Sequence, residues 1–202
     1  MKKIVWLFLL GIFACTPKTK IVEVKDDAGN VIEKYTINIE KEVKEGKSEV
    51  FSNSGQLFET AFYKNGQLHG ERTLFHENGA IQAIEQYENG QFATIYKAFY
   101  DNEQLEVEGK YVSGNMDGEW KRYYDSGELM EVVTFAENEE NGPFVEYYKN
   151  GNQKAIGNYL GGDNEHGESQ LFDEAGELIK KMNCTRGICR TSWTKEAGEK
   201  KI

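Results

Sequence analysis

The chain has 202 residues and a formal net charge of −10, because 34 acidic side chains outnumber 24 basic ones. Nucleic acids and anionic lipid headgroups are bound through basic surface, so this composition argues against both as partners of the folded chain. The 21 glycines and only 2 prolines favour a fold with many tight turns.

The N-terminus has the pattern of an export signal. After two lysines, residues 4–14 form an apolar run that is too short to span a bilayer and fits a secretory signal peptide. The run ends in Ile12-Phe-Ala-Cys15, which resembles a bacterial lipobox. We therefore expect residues 1–14 to be removed as a signal peptide. The alternative is an ordinary secretory signal that is cut nearby.

Lipidation of Cys15 would make this residue a membrane anchor, with residues 15–20 as a short tether. Cleavage also removes Lys2 and Lys3, so the net charge would change to −12 (−10 minus 2). We expect an exported, lipid-anchored protein of the bacterial cell envelope. The segment after Cys15 has no immediate acidic run, which favours the periplasmic side of the outer membrane.

Residues 21–45 are predicted to form an N-terminal capping hairpin. Two runs rich in β-branched residues, 21–24 and 31–37, flank the turn sequence Asp-Asp-Ala-Gly-Asn. The segment resembles residues 172–181 further along the chain. Arrays of stacked units need such a cap at their ends.

From residue 46 the sequence repeats every 24 residues, six times, with one added residue near position 163. Each repeat has three recurrent positions, which we call opening, middle and closing. The opening position holds Gly46, Gly70, Thr94, Gly118, Gly142 and Gly167; the middle position holds Gly55, Gly79, Glu103, Gly127, Gly151 and Gly176; the closing position holds Gly66, Gly90, Gly114, Asn138, Gly162 and Gly187. A fixed period of this length indicates one supersecondary unit stacked on copies of itself.

The turns within the repeats predict strands and hairpins. Asn65-Gly66 and Asn89-Gly90 lie between aromatic and β-branched runs, and Asn-Gly is a strong hairpin signal because both residues tolerate positive φ. Each repeat is therefore two short strands and two turns. The predicted fold is all-β, an elongated antiparallel β-hairpin array of six repeats over residues 46–191, with residues 192–202 as a tail.

Three further columns predict which side chains are buried. The first column is Phe51, Phe75, Phe99, Tyr123, Tyr147 and Phe172. The second is Leu57, Ile81, Leu105, Leu129 and Leu178, interrupted by Gln153 in the fifth repeat. The third is Tyr63, Tyr87, Tyr111, Phe135 and Tyr159, followed by Cys184 in the sixth repeat. Alternate residues of a strand share a face, so these columns form ladders when repeats stack. We interpret the ladders as structural, because one repeat cannot bury its own apolar face.

The run Gly-x-Trp-x-x-Tyr-Tyr-x-x-Gly-x-Leu, which begins at Gly118, resembles the MORN-variant repeat. The resemblance extends over about residues 46–190 and implies an array of β-hairpins. Such repeats occur as scaffolds, as lipid- or protein-binding modules and under a bacterial antitoxin label. The resemblance supplies no catalytic residues.

Cys184 and Cys189 are separated by Thr-Arg-Gly-Ile, with the turn at Gly187 between them. The repeat pattern places the two cysteines opposite each other in a hairpin, so in an oxidising compartment they can form a disulfide. A redox or metal role is the alternative, but the spacing is not that of a redox CxxC motif.

We predict no enzyme, no cofactor and no metal site. His69-Gly70 and His166-Gly167 are interpreted as turn pairs four repeats apart, too distant to share one ion. The acidic runs 137–140 and 163–165 are interpreted as solvated turn charge, because neither has the spacing of a calcium loop.

One candidate binding patch remains in the third to fifth repeats, where extra aromatic residues stand two and six positions after the opening position. Strand alternation predicts that they share the face opposite to the column of Tyr123. A central aromatic patch with a polar rim is typical of recognition surfaces, but a curled sheet would instead bury it. The patch residues are Tyr96, Tyr100, Trp120, Tyr124, Phe144 and Tyr148.

The function predicted from these patterns is that of a non-enzymatic envelope lipoprotein. It would act as a protein-binding or scaffold module and be held at the membrane through Cys15. The alternatives are a glycan-binding surface protein, whose rings stack on sugars, and a toxin-neutralising protein. A toxin partner would be expected to be basic, because the chain is acidic.

Overall fold

The computed structural model describes residues 18–196. The predicted signal peptide, Cys15 and the last six residues lie outside the described part. The strands within it are β1 (Thr19–Lys25), β2 (Val31–Asn38), β3 (Val43–Phe51), β4 (Leu57–Lys64), β5 (Gln67–Phe75), β6 (Ile81–Glu88), β7 (Gln91–Phe99), β8 (Leu105–Val112), β9 (Asn115–Met116), β10 (Gly118–Tyr123), β11 (Leu129–Ala136), β12 (Glu139–Tyr147), β13 (Gln153–Tyr159), β14 (Gly167–Phe172), β15 (Leu178–Thr185) and β16 (Ile188–Thr194).

All of these strands belong to one antiparallel sheet in which each strand pairs with the next in the sequence, and the short β9 pairs only with β8. The predicted all-β hairpin array is therefore confirmed. The predicted N-terminal hairpin is β1 and β2. The six repeats begin at β3, β5, β7, β9, β12 and β14, and β16 follows the last of them. None of the described residues forms a helix with the length and apolar character that a membrane crossing requires.

All eighteen opening, middle and closing positions have a positive φ, which explains why glycine recurs at them. The fifteen glycines have φ between 75° and 129°. The three other residues have φ of 69° at Thr94, 67° at Glu103 and 71° at Asn138. Glycine reaches this left-handed region without the steric cost that a Cβ atom imposes. The backbone geometry of the repeat is thus retained even where glycine is absent.

The three positions form different structures. At the closing position the preceding residue also has a positive φ, as in Asn65-Gly66, which is the requirement of a two-residue type I′ hairpin. At the middle position the amide of Gly55 donates to the Ser52 carbonyl at 2.8 Å, and glycine completes a bulged hairpin loop. The opening position lies in a strand: Gly46 is inside β3, between the pairs Tyr35–Ser48 and Ile37–Lys44, where the register shifts.

The opening position is therefore a β-bulge, and the prediction of turn pairs there is wrong. His69 lies inside β5, and His166 directly precedes β14. A strand bulge and a tight turn both require a positive φ, so the glycine pattern does not distinguish them.

Alternation of side chains gives the sheet two different faces. Trp120 shares one face, which we call the Trp120 face, with the aromatic column of Tyr111 and Phe135; the ring centroids lie 5.3 Å and 6.0 Å from that of Trp120. Tyr123 lies on the opposite face, where its hydroxyl donates to Glu108 at 2.8 Å. The buried apolar residues of the described chain are Ala61, Ala83, Trp120, Val133, Phe144, Ala155 and Cys184.

Replacing Thr94 with glycine tests whether backbone geometry, and not the side chain, is required at the opening position. Thr94→Gly should raise the free energy of unfolding by about 1 kcal/mol, because a β-branched residue in the left-handed region is strained by about 1–2 kcal/mol, partly offset by the flexibility of glycine in the unfolded chain. Urea denaturation measures the difference. Gly70→Thr, at the same position one repeat earlier, should lower stability. A less stable Thr94→Gly variant would contradict this explanation.

Candidate binding cavity beside Trp120

The six residues of the predicted aromatic patch fall into two groups. Tyr96, Trp120 and Phe144 lie inside strands β7, β10 and β12. The other three residues come directly after the last residue of a strand, so strand alternation does not determine where they point. They are Tyr100, Tyr124 and Tyr148.

In the first group, two rings are buried against glycines of the neighbouring strands. Trp120 is 7% exposed and Phe144 is 2% exposed. A Cβ atom added to Gly109 would lie 2.2 Å from Cδ2 of Trp120, and one added to Gly157 would lie 2.7 Å from Cε1 of Phe144. The rings thus occupy the space that a side chain would need. These two rings are therefore buried within the sheet.

These rings pack into clusters on the Trp120 face. The centroids of Tyr96 and Trp120 are 5.7 Å apart, and Tyr111 contacts both rings edge to face. Phe144 stacks on Tyr159 with the centroids 4.4 Å apart. Aromatic pairs at these separations add to the stability gained by burial alone. The first group therefore forms part of the core of the sheet.

The second group joins neighbouring repeats. The hydroxyls donate hydrogen bonds to backbone carbonyls of the following repeat: Tyr100 to Tyr123, Tyr124 to Tyr147 and Tyr148 to Phe172, at 2.8–2.9 Å. We call this place, six residues after the opening position, the bridge position. His76 occupies it in the second repeat, with Nε2 2.8 Å from the Phe99 carbonyl oxygen. The six residues are thus not one exposed patch.

A small cavity lies beside Trp120 on the same face. Its volume is about 160 Å³. Its apolar lining includes Trp120, Val133 and Phe135. Its charged lining consists of Lys121, Arg122, Glu131 and Glu140. The strands β10 and β11 pair Trp120 with Val133, and β11 and β12 pair Phe135 with Glu140. The cavity is therefore built mainly by adjacent strands of the fourth and fifth repeats, and Val107 of the third repeat completes its lining.

Three polar groups of this cavity are poorly satisfied. Among residues 18–196, no acceptor contacts the indole Nε1–H of Trp120. Burial raises the pKa of Glu131, against the opposing effect of Arg122, whose Nη1 lies 3.9 Å from Oε2 of Glu131. Burial also raises the pKa of Glu140, and Asp163 adds to the increase. A buried donor without an acceptor is costly, and Arg122 only partly offsets the effect of burial on the two carboxylates. Groups of this kind are candidates for a binding site.

Glu140 belongs to a column that the sequence interpretation missed. The position two residues before the opening position pairs with the aromatic column of the Trp120 face; examples are Phe92 with Tyr87 and Met116 with Tyr111. The fifth repeat has Glu140 at this position, half-buried in β12. The interpretation of Glu140 as solvated turn charge is therefore wrong. Aligning the repeats would have shown this, because the four preceding repeats have Lys44, Leu68, Phe92 and Met116 at the position of Glu140.

The predicted disulfide is present. Cys184 and Cys189 are opposite each other in β15 and β16 and are joined by a bond with their Cα atoms 3.9 Å apart. The carboxylate of Glu165 lies next to both sulfur atoms, and all three groups fall within 4.8 Å of one another. Glu165 is half-buried there, so it too is not simply a solvated turn residue.

Replacing Glu140 with glutamine tests whether the charged carboxylate destabilises the unbound protein. Because burial raises its folded pKa, the charged form is disfavoured in the fold, and the cost applies in full above the folded pKa. The cost is relieved as the pH falls through that value and is absent below the unfolded pKa, about 4.3. Glu140→Gln should therefore raise Tm at pH 7 by about 2 °C and leave it unchanged near pH 4.

Thermal denaturation at both pH values measures this effect, with Glu119→Gln as the control because Glu119 is exposed on the opposite face. A decrease in Tm at pH 7 for Glu140→Gln, or the same increase for Glu119→Gln, would contradict the assignment.

Comparison with known proteins agrees with the hairpin array. The family model described as MORN repeat variant matches residues 44–65, 68–89 and 116–137. No curated protein matches the chain. One solved structure, "Crystal structure of GtfA/B complex bound to UDP and GlcNAc", has a chain that aligns with 55% of this chain over 22% of its own length. The sequence identity is 13% and the TM-score is 0.24, so this structure indicates neither the fold nor the function of the chain.

MORN repeats are, in general, modules that bind proteins or membranes. The three matched stretches lie in one antiparallel sheet with the other strands of the described chain. The chain thus contains MORN-variant repeats at residues 44–65, 68–89 and 116–137.

Proposed function

We propose that this chain is a non-enzymatic lipoprotein of the bacterial envelope, anchored through Cys15, that binds a protein partner. The cavity beside Trp120 receives a lysine side chain of that partner. Export and anchoring rest on the N-terminal sequence, and the recognition of lysine rests on the cavity. The observation that carries the proposal is the combination of an unsatisfied indole N–H with two half-buried carboxylates.

A lysine residue of a bound partner would satisfy both kinds of group. Its ammonium group would neutralise Glu131 and Glu140, whose charged forms are disfavoured by burial. A backbone carbonyl beside the lysine would accept the hydrogen bond from the Trp120 indole. Its methylenes would contact Val133 and Phe135, which line the cavity. Burial of an unpaired group becomes favourable only when a partner supplies the missing interaction.

The sheet itself contains an example of such recognition. In the first repeat, Lys44 occupies the position that corresponds to Glu140. Its Nζ lies 4.7 Å from the ring centroid of Tyr35 and 4.8 Å from that of Tyr63. The same Nζ also forms an ion pair with Glu33. An ammonium group is thus held by a carboxylate and two aromatic rings at this position of the repeat. In the fifth repeat this position holds the carboxylate of Glu140, so we expect the ammonium group to come from the partner protein.

The size and the charge of the site agree with a single side chain as ligand. The cavity of about 160 Å³ is smaller than the roughly 300–1,000 Å³ typical of small-molecule sites. The net charge of −10 favours a basic partner and would increase the rate of its association.

Burial of the rings disfavours the glycan-binding alternative at this site. Stacking on sugars requires a free ring face, whereas Trp120 is 7% exposed and Phe144 is 2% exposed. A lysine side chain is narrow enough to enter the cavity from its mouth, where the Arg122 side chain is 58% exposed. We therefore favour a protein ligand.

Photocrosslinking in the natural host tests the proposal. A photoreactive residue at position 122 should give a specific protein adduct, because Arg122 lies at the mouth of the cavity. The same probe at position 119 is the matched control, since Glu119 is exposed on the opposite face of the same strand. The double variant Glu131→Gln/Glu140→Gln should reduce the adduct at least tenfold, because the cation loses both carboxylates. Mass spectrometry then identifies the partner.

Equal adducts at positions 119 and 122, or an adduct that the double variant does not reduce, would contradict recognition at this cavity. The same cells test the anchor: the wild-type protein should incorporate labelled palmitate and Cys15→Ala should not. A wild-type protein that carries no label would contradict lipidation while leaving the cavity proposal intact.

A further inference from the structure

The bridge position joins every pair of neighbouring repeats from the second to the sixth. His76, Tyr100, Tyr124 and Tyr148 each lie within hydrogen-bond distance of a carbonyl one repeat further on. A second bridge comes from asparagines two residues later: the amides of Asn78, Asn102 and Asn150 donate to the carbonyls of Asp101, Asp125 and Glu174 at 2.7–2.8 Å. These side chains connect adjacent middle turns.

The first repeat lacks both side chains. Its bridge position is Ser52, and the asparagine is replaced by Ser54. The hydroxyls of these two serines lie 2.8 Å from each other and do not reach the second repeat. A cavity of about 620 Å³ lies between the two turns, lined by both serines and by Leu57, Phe58 and Phe75, among others.

The open space corresponds to the place of a tyrosine ring in later repeats. Ser52 is equivalent to Tyr100, two repeats later, and Phe75 is equivalent to Tyr123, whose carbonyl accepts the hydrogen bond of Tyr100. The middle positions of both repeats have the same positive φ as elsewhere, so the missing phenol side chain contributes to this space without a change in the turn backbone. The volume is within the range of ligand sites.

We propose that the cavity between the first two repeats binds a phenol group, the side chain of a tyrosine from another molecule. The phenol hydroxyl donates a hydrogen bond to the Phe75 carbonyl, as Tyr100 donates to that of Tyr123. The ring packs against Phe58, which is 48% exposed on the cavity wall. This site is lined by the first and second repeats, whereas Trp120 lies in the fourth, so the site is independent of the lysine cavity.

The tyrosine has to come from a different molecule. All eleven tyrosines of the chain lie within residues 18–196 and belong to the sheet or its turns. None of the eleven is exposed. Neither the remainder of this chain nor a second copy therefore presents a free tyrosine to the cavity.

Titration of the folded protein with p-cresol, followed by amide chemical shifts, tests the inference. The shifts should be largest at Phe58, Phe75 and His76. Toluene, which lacks only the hydroxyl, should bind about fivefold more weakly, because it cannot make the hydrogen bond. Ser52→Tyr should place a side chain in the cavity and abolish binding of p-cresol, and it should also raise Tm.

Phe58→Ala provides a second variant that is expected to fold normally, because Phe58 is half-exposed. It should weaken p-cresol binding at least threefold. Equal affinity for toluene and p-cresol, shifts centred elsewhere, or full binding by Ser52→Tyr or Phe58→Ala would overturn the inference. A Gly-Tyr-Gly peptide that binds more tightly than p-cresol identifies a protein tyrosine as the ligand. Binding of p-cresol without binding of the Gly-Tyr-Gly peptide would contradict a protein tyrosine as the occupant.

Discussion

A left-handed backbone at three positions in every 24 residues is the constraint on which this structure depends. One position reverses the chain in a two-residue hairpin, one completes a bulged hairpin loop and one inserts a bulge into a strand. Because the three conformations recur at fixed spacing, every repeat returns the next strand to the same relation with its neighbour. Equivalent side chains then align across the whole sheet. The ladders, the bridges and both cavities follow from that alignment.

A sheet without a second layer has to bury its side chains against itself. Here large and small residues alternate across strands on the Trp120 face, so that Trp120 lies over Gly109 and Phe144 over Gly157. The tyrosines at the bridge position add hydrogen bonds between repeats that are distant in sequence by 23 or 24 residues. Sites arise where one repeat departs from this scheme. Glu140 replaces an apolar residue, and Ser52 replaces a tyrosine.

Much of the fold follows from the sequence, because a positive φ strongly selects glycine and so leaves a periodic pattern. The same pattern indicates a left-handed backbone even at Thr94 and Asn138, which are not glycines. The pattern does not distinguish a bulge from a turn, so it predicts a turn at His69, where the structure has strand β5. Gly109 and Gly157 lie outside the pattern, since their role depends on the ring of an adjacent strand. The burial of Trp120 and the position of Glu140 likewise depend on which residues are paired, which composition and spacing alone do not determine.

The functional account depends on whether an ammonium group with an adjacent carbonyl enters the cavity beside Trp120. The most direct measurement is the indole ¹⁵N–¹H resonance of Trp120 during titration with an acetyl-Gly-Lys-Gly amide peptide. The account predicts a saturable downfield shift of this resonance, because the indole N–H gains an acceptor. The matched norleucine peptide and the Glu140→Gln variant should give little or no shift. An indole resonance that remains fixed with the lysine peptide, or that moves equally with norleucine, would contradict the account.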